Sequence, residues 1–149
     1  MTQKQKILWI DDEFVDELHG LMSYVYELES KDGGFEVVKI AHPDEALVRL
    51  ENQKEDFVCI VLDIMLPHGE SISGAKAKAG NLTGTIVKEK IHAMEQYRGI
   101  PIVVLTGVRR SGLIATQYSE KNWHYKADVS AEGFREIIKK EVEKAKNER

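Results

Sequence analysis

FVCIVLD, residues 57–63, is an unbroken run of six apolar residues that ends on an aspartate. Its apolar residues are continuous rather than alternating, which is typical of a parallel strand covered by helices on both faces. We therefore predict a strand over Phe57 to Leu62, with Asp63 directly after its carboxyl end. A strand of this kind indicates an α/β fold.

Further apolar runs lie on either side of this central strand. They predict a first strand over Ile7 to Ile10, a second over Phe35 to Ala41 and a fourth over Ile100 to Leu105, and Asn122 to Tyr125 can form a fifth. Stretches of helical period separate them, and this alternation is what βαβ units produce.

The helices are predicted from apolar residues that recur at three- and four-residue steps. One such stripe runs from Phe14 to Leu28, a second helix opens at Pro43, and a third contains Ile86 to Met94. Ser111 to Lys121 has few apolar residues and predicts only a short helix. Ser130 can cap a last helix with a regular apolar face.

Composition excludes several classes of protein. A chain of 149 residues fits one domain, residues 1–149, with no room for a second catalytic or output domain. The net charge of −4 comes without a basic stripe, so direct nucleic-acid binding is not expected. No run approaches the ~18 apolar residues of a membrane span, and the polar segment from Met1 to Lys6 lacks the apolar core that a signal peptide needs, so neither feature is expected. These features predict a cytoplasmic protein, and the single cysteine, Cys59, is predicted to be buried.

Polar residues follow the predicted strands where each one ends. Asp11 and Asp12 come after the first strand, Asp63 after the third, Thr106 after the fourth and Lys126 after the fifth. Each of them alone has an ordinary explanation, such as a cap or a solvated turn. Because the carboxyl ends of parallel strands meet at one edge, the joint pattern predicts a ligand site there.

The residue types at this edge suit phosphoryl chemistry. Carboxylates held close together raise each other's proton affinity unless a cation lies among them. Oxygen ligands favour a hard ion, and Mg²⁺ is the usual choice when carboxylates share it with waters and phosphate. A carboxylate can act as a nucleophile toward phosphorus, while a metal ion and an ammonium neutralise the phosphoryl oxygens.

Four segments together resemble the response-regulator receiver domains of two-component systems: ILWIDDE at 7–13, VLDIMLP at 61–67, VVLTG at 103–107 and YK at 125–126. The resemblance covers nearly the whole chain. It implies a flavodoxin-like, doubly wound, five-stranded parallel sheet with strand order 2-1-3-4-5.

The resemblance also implies a phosphorelay function for this edge. Asp63 would accept a phosphoryl group from a histidine kinase or a phosphotransfer protein and form an aspartyl phosphate. Asp12 would bind Mg²⁺ directly, Asp11 would bind it through water, and the backbone carbonyl of Met65 would be a further ligand.

Signal readout is implied in the same way. Thr106 and Lys126 would contact the phosphoryl group, and Trp123 is either a switch residue or a packing residue. The protein would not be an enzyme, since it would take part only in its own phosphorylation and dephosphorylation. Its signal would pass to an output protein that the sequence does not name. A homodimer that forms on phosphorylation stays open as a further partner.

Four features depart from the family pattern. Ala127 follows Lys126 where proline is usual, and a cis bond to alanine would cost roughly 3 kcal/mol, which favours a trans bond but leaves the isomer open. Gly107 replaces a small alanine or serine, and the helix after the fourth strand is predicted to be short. The fourth feature is an insertion over 68–83, predicted as a surface loop, with partner binding or gating as the alternative.

Two other functions stay open. The first is a pseudo-receiver, an interaction module with the same fold that is controlled by binding rather than by phosphorylation. The second is a Mg²⁺-dependent phosphatase of the haloacid-dehalogenase type with an aspartyl nucleophile. That class places a second aspartate two residues after the nucleophile, whereas Asp11 is followed there by Glu13.

Overall fold

The computed structural model describes residues 4–16, 20–52, 55–64, 83–107 and 122–148, and its centre is a parallel sheet. The five strands are β1 (Gln5–Ile10), β2 (Phe35–Ile40), β3 (Phe57–Leu62), β4 (Ile102–Thr106) and β5 (Trp123–Tyr125). Their order is β2-β1-β3-β4-β5, and every neighbouring pair is parallel. The predicted α/β class and the order 2-1-3-4-5 are confirmed.

Helices cover both faces of the sheet. They are α1 (Met22–Glu29), α2 (Pro43–Asn52), α3 (Thr83–His92) and α4 (Ala131–Glu148), with 3-10 turns at Asp12–Val15 and Glu95–Tyr97. Leu8 and Ile10 of β1 pack with α2 and α3 on one face. Ile7 and Trp9 pack with α1 and α4 on the other, as the alternation of side chains along a strand requires.

The first helix is the element that was predicted wrongly. A single helix over Phe14 to Leu28 was expected, but Phe14 lies in a 3-10 turn and α1 begins only at Met22. Asp16 ends that turn in an extended conformation, with φ −97° and ψ 130°, which a continuous helix does not allow. Phe14 still packs against the core, so the apolar stripe is real although the helix is interrupted.

The other elements lie close to their predicted positions. Pro43 opens α2, β3 matches its predicted range residue for residue, and the Ser130 hydroxyl accepts a hydrogen bond from the Gly133 N–H at the start of α4. The predicted helix over Ser111 to Lys121 and all of the 68–83 insertion except Thr83 fall outside the described residues. Among the helices that are described, none has the length and apolar character that a membrane crossing needs.

Candidate functional site

The carboxyl ends of four strands bring the predicted polar residues together. Asp11 follows β1 directly, Asp63 follows β3, Thr106 is the last residue of β4 and Lys126 follows β5. Backbone pairing continues one step past the strands, since the Asp63 N–H donates to the Ile10 carbonyl at 3.1 Å. The Lys126 N–H donates in the same way to the Thr106 carbonyl at 2.9 Å. The sheet itself therefore fixes where each side chain starts.

Both carboxylate oxygens of Asp63 face a partner. The Thr106 hydroxyl donates to Oδ1 at 2.6 Å, and the Lys126 ammonium lies 3.3 Å from Oδ2. Asp63 and Thr106 are buried, so these contacts are shielded from water.

Lys126 also pairs with acids that follow β1. Its ammonium lies 3.0 Å from Asp11 Oδ2 and donates to the Glu13 carboxylate. Asp11 Oδ1 in turn accepts the Glu13 N–H at 3.0 Å and so caps the 3-10 turn. One lysine therefore contacts three acidic residues.

Three of the carboxylates form a compact cluster. Oxygens of Asp11, Asp12 and Asp63 all lie within 4.8 Å of one another. Asp11 and Asp63 are buried, whereas Asp12 is exposed and opens the cluster to solvent. Buried and solvent-facing carboxylates in one group are the donor set that a hard divalent cation takes, with waters completing its coordination.

The pKa values of Asp11 and Lys126 are both raised in this cluster. Burial and the neighbouring charge of Asp63 raise the pKa of Asp11 to about 7, against the opposing effects of the Glu13 N–H and Lys126. Burial would lower the pKa of Lys126, but its hydrogen bond to Glu13 and the charges of Asp63 and Asp11 outweigh burial and raise it. The cluster therefore has an excess of negative charge that a second cation would relieve.

Gly84, near the start of α3, lets that helix approach the end of β3. Its N–H donates to the Ile64 carbonyl at 3.0 Å. A Cβ atom at this position would lie 2.3 Å from the Asp63 carbonyl oxygen and 2.5 Å from the Ile64 Cα. Only glycine fits this close approach, which fixes the backbone around Asp63.

The structure brings together five of the six predicted site residues: Asp11, Asp12, Asp63, Thr106 and Lys126. The sixth, Met65, lies outside the described residues. No cis peptide bond occurs in the described part of the chain, so the bond from Lys126 to Ala127 is trans, the isomer that the cost of a cis bond to alanine favours.

Sequence reasoning gave no role to Glu13, although it contacts Lys126. Its place as the third acid in the Asp11-Asp12-Glu13 run was a usable signal. Sequence reasoning also missed Tyr24 of α1, whose hydroxyl donates to backbone carbonyls of the segment that follows β5. No sequence signal marks that contact, because the partners lie more than 100 residues apart.

Solved structures with this fold cover nearly the whole chain. A response regulator receiver protein from Sinorhizobium medicae matches with a TM-score of 0.69 at 16% identity, over 96% of this chain and 98% of the other. A response regulator receiver domain protein from Clostridium thermocellum matches at 0.66 and 20% identity, over 97% and 99%. The chemotaxis response regulator CheY4 of Vibrio cholerae matches at 0.63 and 20% identity, over 96% and 99%. The fold is that of a response-regulator receiver domain.

No protein-family model matches the chain, and no curated protein matches it. Identities of 16–20% establish a shared receiver fold and leave the activity to be argued from the site.

Proposed function

We propose that this chain is a receiver that works in phosphorelay signalling. Asp63 accepts a phosphoryl group from a histidine kinase or a phosphotransfer protein, and the modified domain changes its binding to an output partner. The arrangement of Asp63 carries the proposal: a buried carboxylate with Thr106 on one oxygen, Lys126 near the other and two more carboxylates beside it.

The transfer forms one bond and breaks one. A carboxylate oxygen of Asp63 attacks phosphorus and forms the O–P bond of an aspartyl phosphate. The bond from phosphorus to the donor atom breaks, and its electron pair leaves with the donor, a histidine nitrogen or the carboxylate oxygen of acetyl phosphate. The Thr106 hydroxyl and the Lys126 ammonium then contact phosphoryl oxygens instead of the free carboxylate.

The acidic cluster fits Mg²⁺ as the cofactor. A bound divalent cation supplies positive charge that offsets the charge on the phosphoryl oxygens. We propose that Asp12 binds it directly and Asp11 through water. This division agrees with the contacts, since Asp12 is exposed whereas both oxygens of Asp11 already face Glu13 and Lys126. Met65 remains a proposed ligand through its backbone carbonyl.

The rival functions have less support. A pseudo-receiver has no need of a hydroxyl and an ammonium that both contact the acceptor carboxylate, yet Thr106 and Lys126 do so here. A phosphatase of the haloacid-dehalogenase type would use Asp11 as its nucleophile. The oxygens of Asp11 already hold the backbone after β1 and pair with Lys126, which suits a supporting role.

Intact-mass spectrometry after incubation with acetyl phosphate and Mg²⁺ tests the proposal. We expect the wild-type chain to gain one phosphoryl group and Asp63→Asn to gain none while it keeps its fold by circular dichroism. Asp56→Asn is the matched control, because Asp56 is an exposed acid just before β3, at the opposite end of the same strand. No adduct on the wild-type chain, or an adduct that persists in Asp63→Asn, would refute the proposed function.

A further inference from the structure

The hydroxyl of Tyr24 joins α1 to the segment between β5 and α4. Its oxygen lies 2.7 Å from the Val129 carbonyl and 3.0 Å from the Lys126 carbonyl. A hydroxyl carries one proton, so these two carbonyls share one donor, with Val129 the closer. The contact reaches the backbone of the lysine that enters the acidic cluster.

The ring of Tyr24 is fixed by two other aromatic side chains. Phe134 of α4 meets it edge to face, with ring centroids 5.9 Å apart and an angle of 83°. Trp9 of β1 also meets it nearly edge to face, at 6.4 Å and 75°. Edge-to-face geometry of this kind is favourable and directional. The hydroxyl therefore has a defined position, and we expect that removing it alone leaves the packing of the ring intact.

Hydrogen bonds fix the position of the backbone around Lys126. Ala127 does not restrict its own φ angle as a proline would. The Lys126 N–H is held by Thr106 on β4, and a turn follows in which the Asp128 N–H donates to the Tyr125 carbonyl at 3.0 Å. The Lys126 carbonyl, in contrast, accepts its hydrogen bond from the Tyr24 hydroxyl.

We propose that Tyr24 is a positioning residue for Lys126. By holding the Lys126 and Val129 carbonyls, it sets the point from which the lysine side chain reaches Asp63. It acts on phosphoryl transfer through Lys126 and touches none of the reacting atoms. This inference rests on the proposed function of Asp63.

The test compares Tyr24→Phe with Tyr26→Phe. Both changes remove one hydroxyl from α1, but the Tyr26 side chain is 72% exposed. We expect the initial rate of phosphorylation by acetyl phosphate with Mg²⁺ to fall roughly fivefold in Tyr24→Phe, which corresponds to about 1 kcal/mol, a typical value for one hydrogen bond. The rate of Tyr26→Phe should equal that of the wild type.

A double-mutant cycle separates positioning from general support of the fold. In a Lys126→Ala background, Tyr24→Phe should cause no further loss of rate, because its effect passes through the lysine. The same fivefold loss in both backgrounds would overturn the proposal.

A second measurement needs no phosphoryl donor. The ζ-nitrogen chemical shift of Lys126, measured by NMR, should change in Tyr24→Phe and stay the same in Tyr26→Phe. An unchanged shift in Tyr24→Phe would also overturn the proposal. Failure of the wild-type chain to accept a phosphoryl group would instead refute the proposed function, while the chemical shift would still report on Tyr24.

Discussion

Both edges of the sheet carry ion pairs, but the ratio of acidic to basic side chains is opposite at the two edges. At the amino edge, Glu55 before β3 binds Arg49 of α2 through two hydrogen bonds of 2.6 and 2.7 Å and lies 4.0 Å from Lys6. One acid there has two basic partners. At the carboxyl edge, Lys126 pairs with Asp11, Glu13 and Asp63, so one base has three acidic partners.

This balance separates a structural ion pair from a candidate site. The hydrogen bonds from Arg49 lower the pKa of Glu55, so its charged form suits the folded state. Burial and the charge of Asp63 instead raise the pKa of Asp11 to about 7, so the charged form of Asp11 destabilises the folded state. Acids in excess at one buried edge of a folded protein are typical of a ligand site, which agrees with the function proposed for this edge.

The largest expected change in the free energy of unfolding comes from replacing one acid at each edge by its neutral amide. The folded-state pKa of Asp11 is about 7, against an ordinary value of 3.8, so the folded state binds the proton more tightly. Its stability therefore falls as pH rises from about 4 to 7. Without divalent cations at pH 8, Asp11→Asn should be more stable than the wild type by about 3 kcal/mol in urea unfolding. At pH 4 the gain should vanish.

Glu55→Gln should have the opposite sign. The lowered pKa of Glu55 gives stability that is present above its ordinary pKa and is lost as pH falls. The variant should lose up to about 1 kcal/mol at pH 8, since the pair lies near the surface. If both variants lost stability at pH 8, the contrast between the edges would be wrong.

A methyl group added at each edge should have the next largest effect. Gly84→Ala places a Cβ atom against the Asp63 carbonyl, whereas Gly99, before β4, has open space around the same position. We expect a loss of about 2 kcal/mol for Gly84→Ala, as for other overpacked sites, and a change within about 0.5 kcal/mol for Gly99→Ala. Urea unfolding of the two variants measures this difference, and equal values would show that α3 is not held against Asp63.

Magnesium should act on one edge only. At a free Mg²⁺ concentration of about ten times Kd, binding adds about 1.4 kcal/mol to the free energy of unfolding. We expect Glu55→Gln to keep this gain and Asp12→Ala to lose it, with Asp11→Ala between them because Asp11 is proposed to bind through water. Thermal unfolding with and without MgCl₂ at constant ionic strength tests the ranking. A larger loss in Asp11→Ala than in Asp12→Ala would reverse the proposed roles of the two aspartates.

The sequence predicted the centre of the sheet well because β1, β3 and β4 contain continuous apolar runs, whereas the short β5, Trp-His-Tyr, gives a weaker signal. β3 was predicted residue for residue, and the polar residues at the strand ends could be placed together because parallel strands end at the same edge of the sheet. The break after Phe14 could not be predicted, since the apolar stripe continues across it and only the extended backbone at Asp16 marks it.

Contacts across the site were harder to predict than its composition. Three acids follow β1, and the sequence does not say that Glu13 binds Lys126. The contact from Tyr24 to Lys126 joins residues 102 positions apart and depends on how α1 packs against α4. Such pairings follow from tertiary packing rather than from local pattern.

Reductive trapping tests the central claim most directly. Borohydride converts an aspartyl phosphate to homoserine, and peptide mass spectrometry then locates the converted residue. After treatment with acetyl phosphate and Mg²⁺, we predict homoserine at position 63 and unmodified aspartate at positions 11, 12 and 56. Homoserine at position 11 or 12, or none anywhere in the chain, would contradict the assignment of Asp63 as the phosphoryl acceptor.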